Sequence, residues 1–312
     1  MSHGQPKSEA ARTELVTLAQ RLRPELHRYC ARLMGSVIDG EDVVQDALTR
    51  ALAAVDEMPD VATPRAWLFR IAHNRALDLL RSRALRAAEP IDAAGDVVDA
   101  AAPDPVEMMM RREAIETAIS RFTALPLHQR SVLILKDVLD EPLAEIAALL
   151  DLTLDSVKAH LARGRARLRE INASAIDPPP ARPPSDAVAR YVAMFNRRDW
   201  DGLRALLADD VKLNQSTHPV RSGAADVGMF FQIYAKADTI WLAPAWLEGR
   251  EVIAVFEDRG DHEPSYVMWL AWRDGKISFI RDYRYVRYVV AGAELVLAPD
   301  AGRAGRGIVS RT

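Results

Sequence analysis

Two clusters of polar residues at helical spacing could do chemistry on a nucleic acid. In residues 64–86, Arg70, His73, Asn74, Leu77 and Arg81 fall on one side of a helix, with Trp67 at its edge. Leu68, Ile71, Ala72, Ala76 and Leu79 fall on the other side and form a stripe to bury. Cations meet phosphates, an amide reads base edges, and a ring gives an unstacked base a surface to lie on. Taken alone, the spacing also describes an amphipathic helix with a solvated basic face, and that plainer reading takes the larger share. The second cluster lies in residues 141–170. There Lys158, His160, Arg163, Arg165, Arg167 and Arg169 surround a buried stripe of Val157, Leu161 and Leu168. Ahead of it Pro142 starts a short helix that turns Ile146, Leu149 and Leu150 inward. Asp151 and Leu152 make a turn, and Thr153 caps the basic helix. This is the pattern of a helix-turn-helix whose second helix enters a major groove; a helical hairpin with a basic face would share it.

The elements that position these clusters follow from the same periodicity. Residues 14–34 read as a helix stopped by Gly35. Asp39 is expected to cap the next helix, with Glu41 and Asp42 in its first turn. That helix buries Val43, Ala47, Leu48 and Ala51 and shows Asp42, Gln45, Asp46 and Arg50. Such a face is either simply solvated or docks a protein. Residues 89–107 contain acids and three prolines but no basic residue, and read as an extended acidic linker. The linker is either a passive tether or a strand that imitates nucleic acid in a basic channel. Helices follow over 108–121 and 128–138, broken at Leu125 and Pro126.

A proline-rich linker at 177–184 marks a domain boundary. Beyond it, residues 185–207 read as a helix interrupted at 199–202, followed by a strand at 211–216 and a helix at 224–234. Four strands are expected at 239–247, 251–257, 265–272 and 276–288, with a hairpin turn at Asp274 and Gly275. Helices followed by an antiparallel meander make an α+β domain. The tail from Gly292 reads as flexible. The candidate pocket residues of this domain are His218, Tyr266, Trp269, Asp282 and Arg284. Strand alternation puts Asp282 and Arg284 on one face, and Arg281 and Tyr283 on the other. A carboxyl facing an apolar cavity could act as a base if its pKa were raised. The plainer reading is a salt bridge between Asp282 and a neighbouring arginine.

Of the 312 residues, 49% are hydrophobic and 27% charged, as expected of a globular protein with two or three domains. The formal charge of −3 argues against a uniformly basic coat but allows basic helices, since the charge is blocked. The single cysteine, Cys30, sits among helix-core residues and suits a reducing compartment. The N-terminal residues carry no apolar h-region and no run reaches the length of a membrane span, so the expectation is a cytoplasmic protein. Neither a metal nor a cofactor is expected.

Three stretches carry a family resemblance: DGEDVVQDALTRAL, PRAWLFRIAHNRALDLLRSR, and LPLHQRSVLILKDVLDEPLAEIAALLDLTLDSVKAHLARGRARLR. In their order and separation, over residues 14–172, they resemble bacterial sigma factors of the extracytoplasmic-function (ECF) type. The resemblance implies two helical sigma domains, the second a helix-turn-helix, that bind core RNA polymerase and promoter DNA. It places Asp42, Gln45 and Asp46 against the polymerase clamp helices. It places Asn74, Asp78 and Arg81, with Trp67, Arg70 and His73 beside them, near the −10 element. Lys158, Ala159, His160, Ala162 and Arg163 match recognition-helix positions at the −35 element, and Arg165 fits a phosphate contact. Residues 185–291 resemble SnoaL-like members of the nuclear-transport-factor-like superfamily, a cone of helices on a curved sheet. The tryptophan-proline linker motif and Asp-Gly-Gly-Gly motif of the best-known extended subgroup are missing here, so that subgroup's regulation does not transfer.

The expected architecture is therefore a mainly α protein followed by an α+β cone. Its boundaries are region 2 at 14–88, the acidic linker at 89–107, region 4 at 108–172, the proline linker at 177–184, the cone at 185–291 and the tail at 292–312. The expected function is promoter recognition and transcription initiation by binding, not by enzymatic turnover, with the C-terminal domain tuning activity in cis. That domain would do so through a small-molecule ligand or an intramolecular contact; whether a separate anti-sigma partner exists stays open. The rival readings are a ligand-sensing helix-turn-helix regulator independent of core polymerase, and a bifunctional enzyme.

Overall fold

The computed structural model describes residues 9–55, 63–87, 105–174 and 182–299. Most of the expected acidic linker, and the expected proline linker as far as residue 181, lie outside them. Contacts divide the chain into two compact units, residues 1–176 and 177–312. Among the described residues, no helix is long and apolar enough to cross a membrane.

The first unit is helical: α1 (Glu9–Met34), α2 (Val37–Ala53), α3 (Pro64–Ala87), α4 (Pro105–Glu116), α5 (Leu127–Leu133), α6 (Leu143–Leu150) and α7 (Leu154–Ala173). A 3₁₀ turn at Ile119–Ala124 precedes α5, and a π turn at Ile134–Val138 extends it. Helix α1 starts earlier than its apolar periodicity predicts. Ser36, not Asp39, caps α2, accepting from the Asp39 amide at 3.4 Å. The helix starts at Val37, which puts Asp39 inside the first turn, where it pairs with Arg83 at 2.8 Å. Gly40 is required by a close crossing: a Cβ there would lie 2.5 Å from the Ala31 backbone on α1.

In the helix-turn-helix, Asp151 takes the left-handed conformation at φ 56°, and the Thr153 hydroxyl caps α7 by accepting from the Ser156 amide at 3.2 Å. Gly164 costs about 1 kcal/mol of helix propensity relative to Ala. The reason it is there is the approach of α5, since a Cβ would meet the Gln129 carbonyl at 3.2 Å and Leu133 at 3.3 Å. One continuous buried core runs from Leu15 and Leu26 through Val43, Leu68 and Phe122 to Val157 and Leu168. The helices of this unit before residue 88 and after residue 104 therefore pack into a single body. Arg130 fastens them, donating to the carbonyls of Leu33, Thr123 and Leu125 at 2.8–2.9 Å.

The second unit packs α8 (Asp186–Asn196), α9 (Trp200–Ala205), α10 (Ala224–Gly228) and α11 (Phe230–Ala235) on a mixed sheet. Its strands are β1 (Leu207–Asn214), β2 (Arg221–Ser222), β3 (Trp241–Leu247), β4 (Arg250–Phe256), β5 (Tyr266–Arg273), β6 (Lys276–Asp282) and β7 (Leu295–Leu297). The order is β2-β1-β6-β5-β4-β3-β7, with β1 parallel to β6 and the other pairings antiparallel. The α+β expectation holds; besides the added strand β2 and the division of the helix expected at 224–234 into α10 and α11, three differences stand out. Strand β1 begins at Leu207, because its acidic residues 209 and 210 lie on the exposed side of an irregular strand. Strand β6 ends at Asp282, and the chain then winds into a 3₁₀ turn at Arg287–Val290. The expected loose tail contains β7, whose Leu295–Leu297 pair with β3.

Candidate nucleic-acid interface

Helix α3 buries Leu68, Phe69, Ala72 and Ala76 against the first unit's core and leaves Arg70, Asn74, Asp78 and Arg81 exposed. Asp78 and Arg81 face each other at 3.9 Å, and Trp67 lies half-buried at the edge of the core. His73 departs from the expected face. Its ring is buried, and the Tyr29 hydroxyl of α1 lies 2.7 Å from its Nδ1. Burial, with His128 and Arg81 nearby, lowers its pKa to about 4, so the ring is neutral near pH 7 and shares a hydrogen bond with the phenol. A hydrogen-bond partner on α1, distant in sequence, turns this polar side chain inward.

The exposed face of α3 is partly engaged within the unit. Arg70 donates to the Ala148 carbonyl of α6 at 2.9 Å. Arg65 donates to Glu25 of α1 at 2.7 Å and pairs with Glu141 just before α6. Sequence periodicity did not single out Arg65 or Glu141, because each gains its role from a partner on another helix.

On α7, Lys158 is half-buried with no ion-pair or hydrogen-bond partner among the described residues, and Ala162 is exposed. His160 stacks on His128 of α5, with ring centroids 5.4 Å apart, and lies 3.4 Å from Arg163 Nη2. Burial, then Arg163 and His128, lower the pKa of His160. Two expected contacts are corrected. Ala159 is buried, because it falls on the packed stripe beside Val157. Arg165 binds the fully buried Asp137 through Nε at 2.9 Å and Nη2 at 2.7 Å, so its fork is taken up within the fold.

The acidic face of α2 is held from two sides. Gln45 accepts from Arg23 of α1 at 2.6 Å, and Arg23 also pairs with the buried Glu41. Asp46 accepts from Arg75 of α3. Asp42 is exposed.

In the second unit, the sheet brings together Tyr266, Asp282 and Arg284 and separates them from the other two expected pocket residues. Trp269 is paired with Arg281 on the opposite sheet face, with the Arg250 guanidinium 5.7 Å from its ring centroid. Strand parity puts it there, one residue out of phase with Met268 and Leu270. His218 is exposed and stacks on Tyr285 at 3.9 Å. Asp282 is fully buried. It accepts from Gln215 Nε2 at 2.7 Å and from the backbone N–H of Arg284 at 3.0 Å, in place of the expected side-chain salt bridge. Burial outweighs these bonds and raises its pKa to about 6. Beside it the hydroxyls of Tyr234 and Tyr266 lie 2.9 Å apart, and the Arg284 guanidinium sits 5.5 Å from the Tyr234 ring centroid. The buried Tyr191 hydroxyl has no hydrogen-bond partner among the described residues. Gln215, Tyr191 and Tyr234 were missing from the expected set. Nothing in the local pattern marks Gln215. The group is a titratable carboxyl surrounded by phenols inside an apolar core, chemistry suited to exchanging a proton or hydrogen-bonding a small polar ligand.

Three family models match the chain in order: Sigma-70 region 2 at residues 18–86, Sigma-70, region 4 at 113–168, and the SnoaL-like domain at 188–280. The chain is 31% identical over 225 residues to the ECF RNA polymerase sigma factor SigG of Mycobacterium tuberculosis, covering 64% of this chain and 60% of that protein's length. It is 30% identical over 157 residues to the ECF RNA polymerase sigma factor SigM of the same organism, covering 49% of this chain and 74% of SigM. The crystal structure of the Mycobacterium tuberculosis extracytoplasmic function sigma factor SigJ aligns over 93% of this chain and 98% of its own, at 22% identity and a TM-score of 0.33.

Proposed function

We propose that this chain, which belongs to the extracytoplasmic-function family of RNA polymerase sigma factors, directs core polymerase to promoters and takes part in opening them in the cytoplasm. One observation carries the reading: a single helical body displays three faces in order. These are the acid and amide face of α2, the Arg70–Arg81 face of α3, and the basic face of α7. Asp42, Gln45 and Asp46 dock on polymerase. Trp67, Arg70, Asn74, Asp78 and Arg81 engage the strand of the −10 element. Lys158, His160, Ala162 and Arg163 read the −35 element, where a base contact supplies about 1–3 kcal/mol of discrimination. His73 and Ala159 act by positioning these helices, and Arg165 by anchoring α7 to Asp137.

The packing of α3 on α6 supports a closed form that has to open before Arg70 reaches DNA. The second unit tunes this equilibrium in cis as a regulatory rather than a catalytic domain. Its interior cluster around Asp282 is the place for a small-molecule signal.

In vitro transcription with purified core polymerase on a genomic promoter library tests the reading. The full chain and a chain ending at residue 184 are each expected to give polymerase-dependent transcripts, at different levels. Tight promoter binding by the chain alone, with no polymerase-dependent initiation, would favour a stand-alone DNA-binding regulator and overturn the sigma reading. Equal transcription by the two chains under every condition would remove the tuning role.

A further inference from the structure

Between α3 and α6 lies a cavity of about 270 Å³. Phe69 of α3, Leu135 of the π turn, and Ile146 and Leu149 of α6 line its apolar floor; Arg65, Glu141 and Glu145 stand at its rim. Arg65 is already engaged: it bonds Glu25 at 2.7 Å, pairs with Glu141, and lies 4.9 Å from the Phe69 ring centroid. Glu145 is exposed and has no ion-pair or hydrogen-bond partner among the described residues. Among the charged lining residues, Arg65 supplies one positive charge and Glu141 and Glu145 two negative ones. The imbalance is negative, and Glu145 carries it, since Glu141 is paired with Arg65.

We propose that this cavity is a binding site for a small organic cation with a flat apolar body, of the arylalkylammonium class. The apolar body lies against Ala66, Pro142 and Leu149, over the buried Phe69 and Ile146, and the ammonium meets Glu145. At roughly 30 Å³ per water-sized volume, the cavity holds about nine such volumes, enough for one aromatic ring on a short chain. Its two walls belong to helices held together by the Arg70 bond to the Ala148 carbonyl and by the Arg65 pair with Glu141. Parting α3 from α6 abolishes the site. A ligand that binds only the packed arrangement shifts the population toward it. Bound amine therefore acts as a brake that keeps the polar face of α3 from a promoter strand. The brake rests on the sigma reading; the binding site does not.

Isothermal calorimetry on the full chain at pH 7.5 tests the site with 4-phenylbutylammonium and 4-phenylbutyrate, which share one apolar body and differ in charge. The ammonium is expected to bind at least tenfold more tightly. Glu145→Gln is expected to weaken the ammonium at least fivefold, and Ile146→Trp, which fills the cavity, to abolish binding of both. Should Ile146→Trp lose its helical circular dichroism, Leu149→Trp at the half-buried edge is read in its place. Equal affinity for the two probes, no binding at millimolar concentration, or unchanged binding in the filled variant overturns the site. With core polymerase present, strand opening read by permanganate should fall as the ammonium is added. Binding without that fall overturns the brake alone. Absence of polymerase-dependent opening at any ligand concentration overturns the sigma reading, while calorimetry still decides the site.

Discussion

Arg75 of α3 donates from both Nε and Nη2 to one oxygen of Asp46 on α2, at 2.9 and 2.7 Å. The pair fixes a carboxylate on the face proposed to dock on polymerase, as Arg23 fixes Gln45 beside it. The Asp46 side chain is 49% exposed and that of Arg75 22%, so the pair adds at most about 1 kcal/mol to stability. Its larger effect is to order Asp46 before binding, which saves about 1 kcal/mol of rotamer entropy at an interface. Arg75→Ala should therefore weaken binding to core polymerase about fivefold by fluorescence anisotropy, with the thermal midpoint nearly unchanged. Unaltered affinity would show that the pair does not preorganise the docking face.

Arg165 and Lys158 both lie on the basic helix, yet they should respond differently to removal. Arg165→Ala leaves Asp137 as a fully buried carboxylate without its fork, a change that costs about 3–5 kcal/mol in comparable pairs. Urea unfolding should show that loss. Lys158→Ala should leave unfolding unchanged and relax discrimination at the −35 element by about 1–3 kcal/mol, read by promoter binding. A stable Arg165→Ala protein that had lost only DNA affinity would reverse the assignment.

How much of this was legible in the sequence follows from the range of each interaction. Helices whose apolar spacing is local, such as α2 and α7, were readable, as was the hairpin at Asp274 and Gly275, both of which take positive φ. His73 was not legible: its polarity argues for solvent, and only the fold brings Tyr29 to it across 44 positions of sequence. Trp269 fails differently. Strand alternation already sets it opposite Met268, so parity outranks residue type. The packing of α3 on α6 had no local signal, since Arg65 and Arg70 look like any exposed cations until Glu141 and the Ala148 carbonyl lie beside them.

His73 makes the first unit sensitive to acid. The unfolded ring takes a proton near pH 6.5, the folded one only near pH 4. Between those values the unfolded chain binds more protons, so stability rises with pH and is lost as pH falls from 6.5 toward 4. At pH 5 this one group withdraws about 2 kcal/mol relative to pH 7.5. The buried His27, whose pKa is also lowered chiefly by burial, adds to the same trend. Urea unfolding at the two pH values should show the loss in the wild type and a smaller loss in His73→Phe. An identical pH slope in the variant would mean that the ring is not the titrating group.

Asp282 should act with the opposite sign in the second unit. Its pKa is raised from 3.8 to about 6 by burial, so between these values the folded chain holds the proton and the unfolded chain has released it. Stability from this group is therefore full at low pH and lost as pH rises through 6. Moving from pH 7.5 to pH 5 should strengthen the second unit by about 1 kcal/mol, while the first unit weakens. Hydrogen exchange on the full chain, corrected for the intrinsic pH dependence of exchange, separates the two. Peptides across α8 and β5 should gain protection at pH 5, and those across α1 and α3 should lose it. Asp282→Asn keeps an acceptor for Gln215 and removes the charge, so it should raise protection of the second unit at pH 7.5 and cancel its pH dependence. If the variant loses protection instead, the ionised carboxylate is stabilising the core through Gln215 and Arg284, and the acid near pH 6 is not a burial effect.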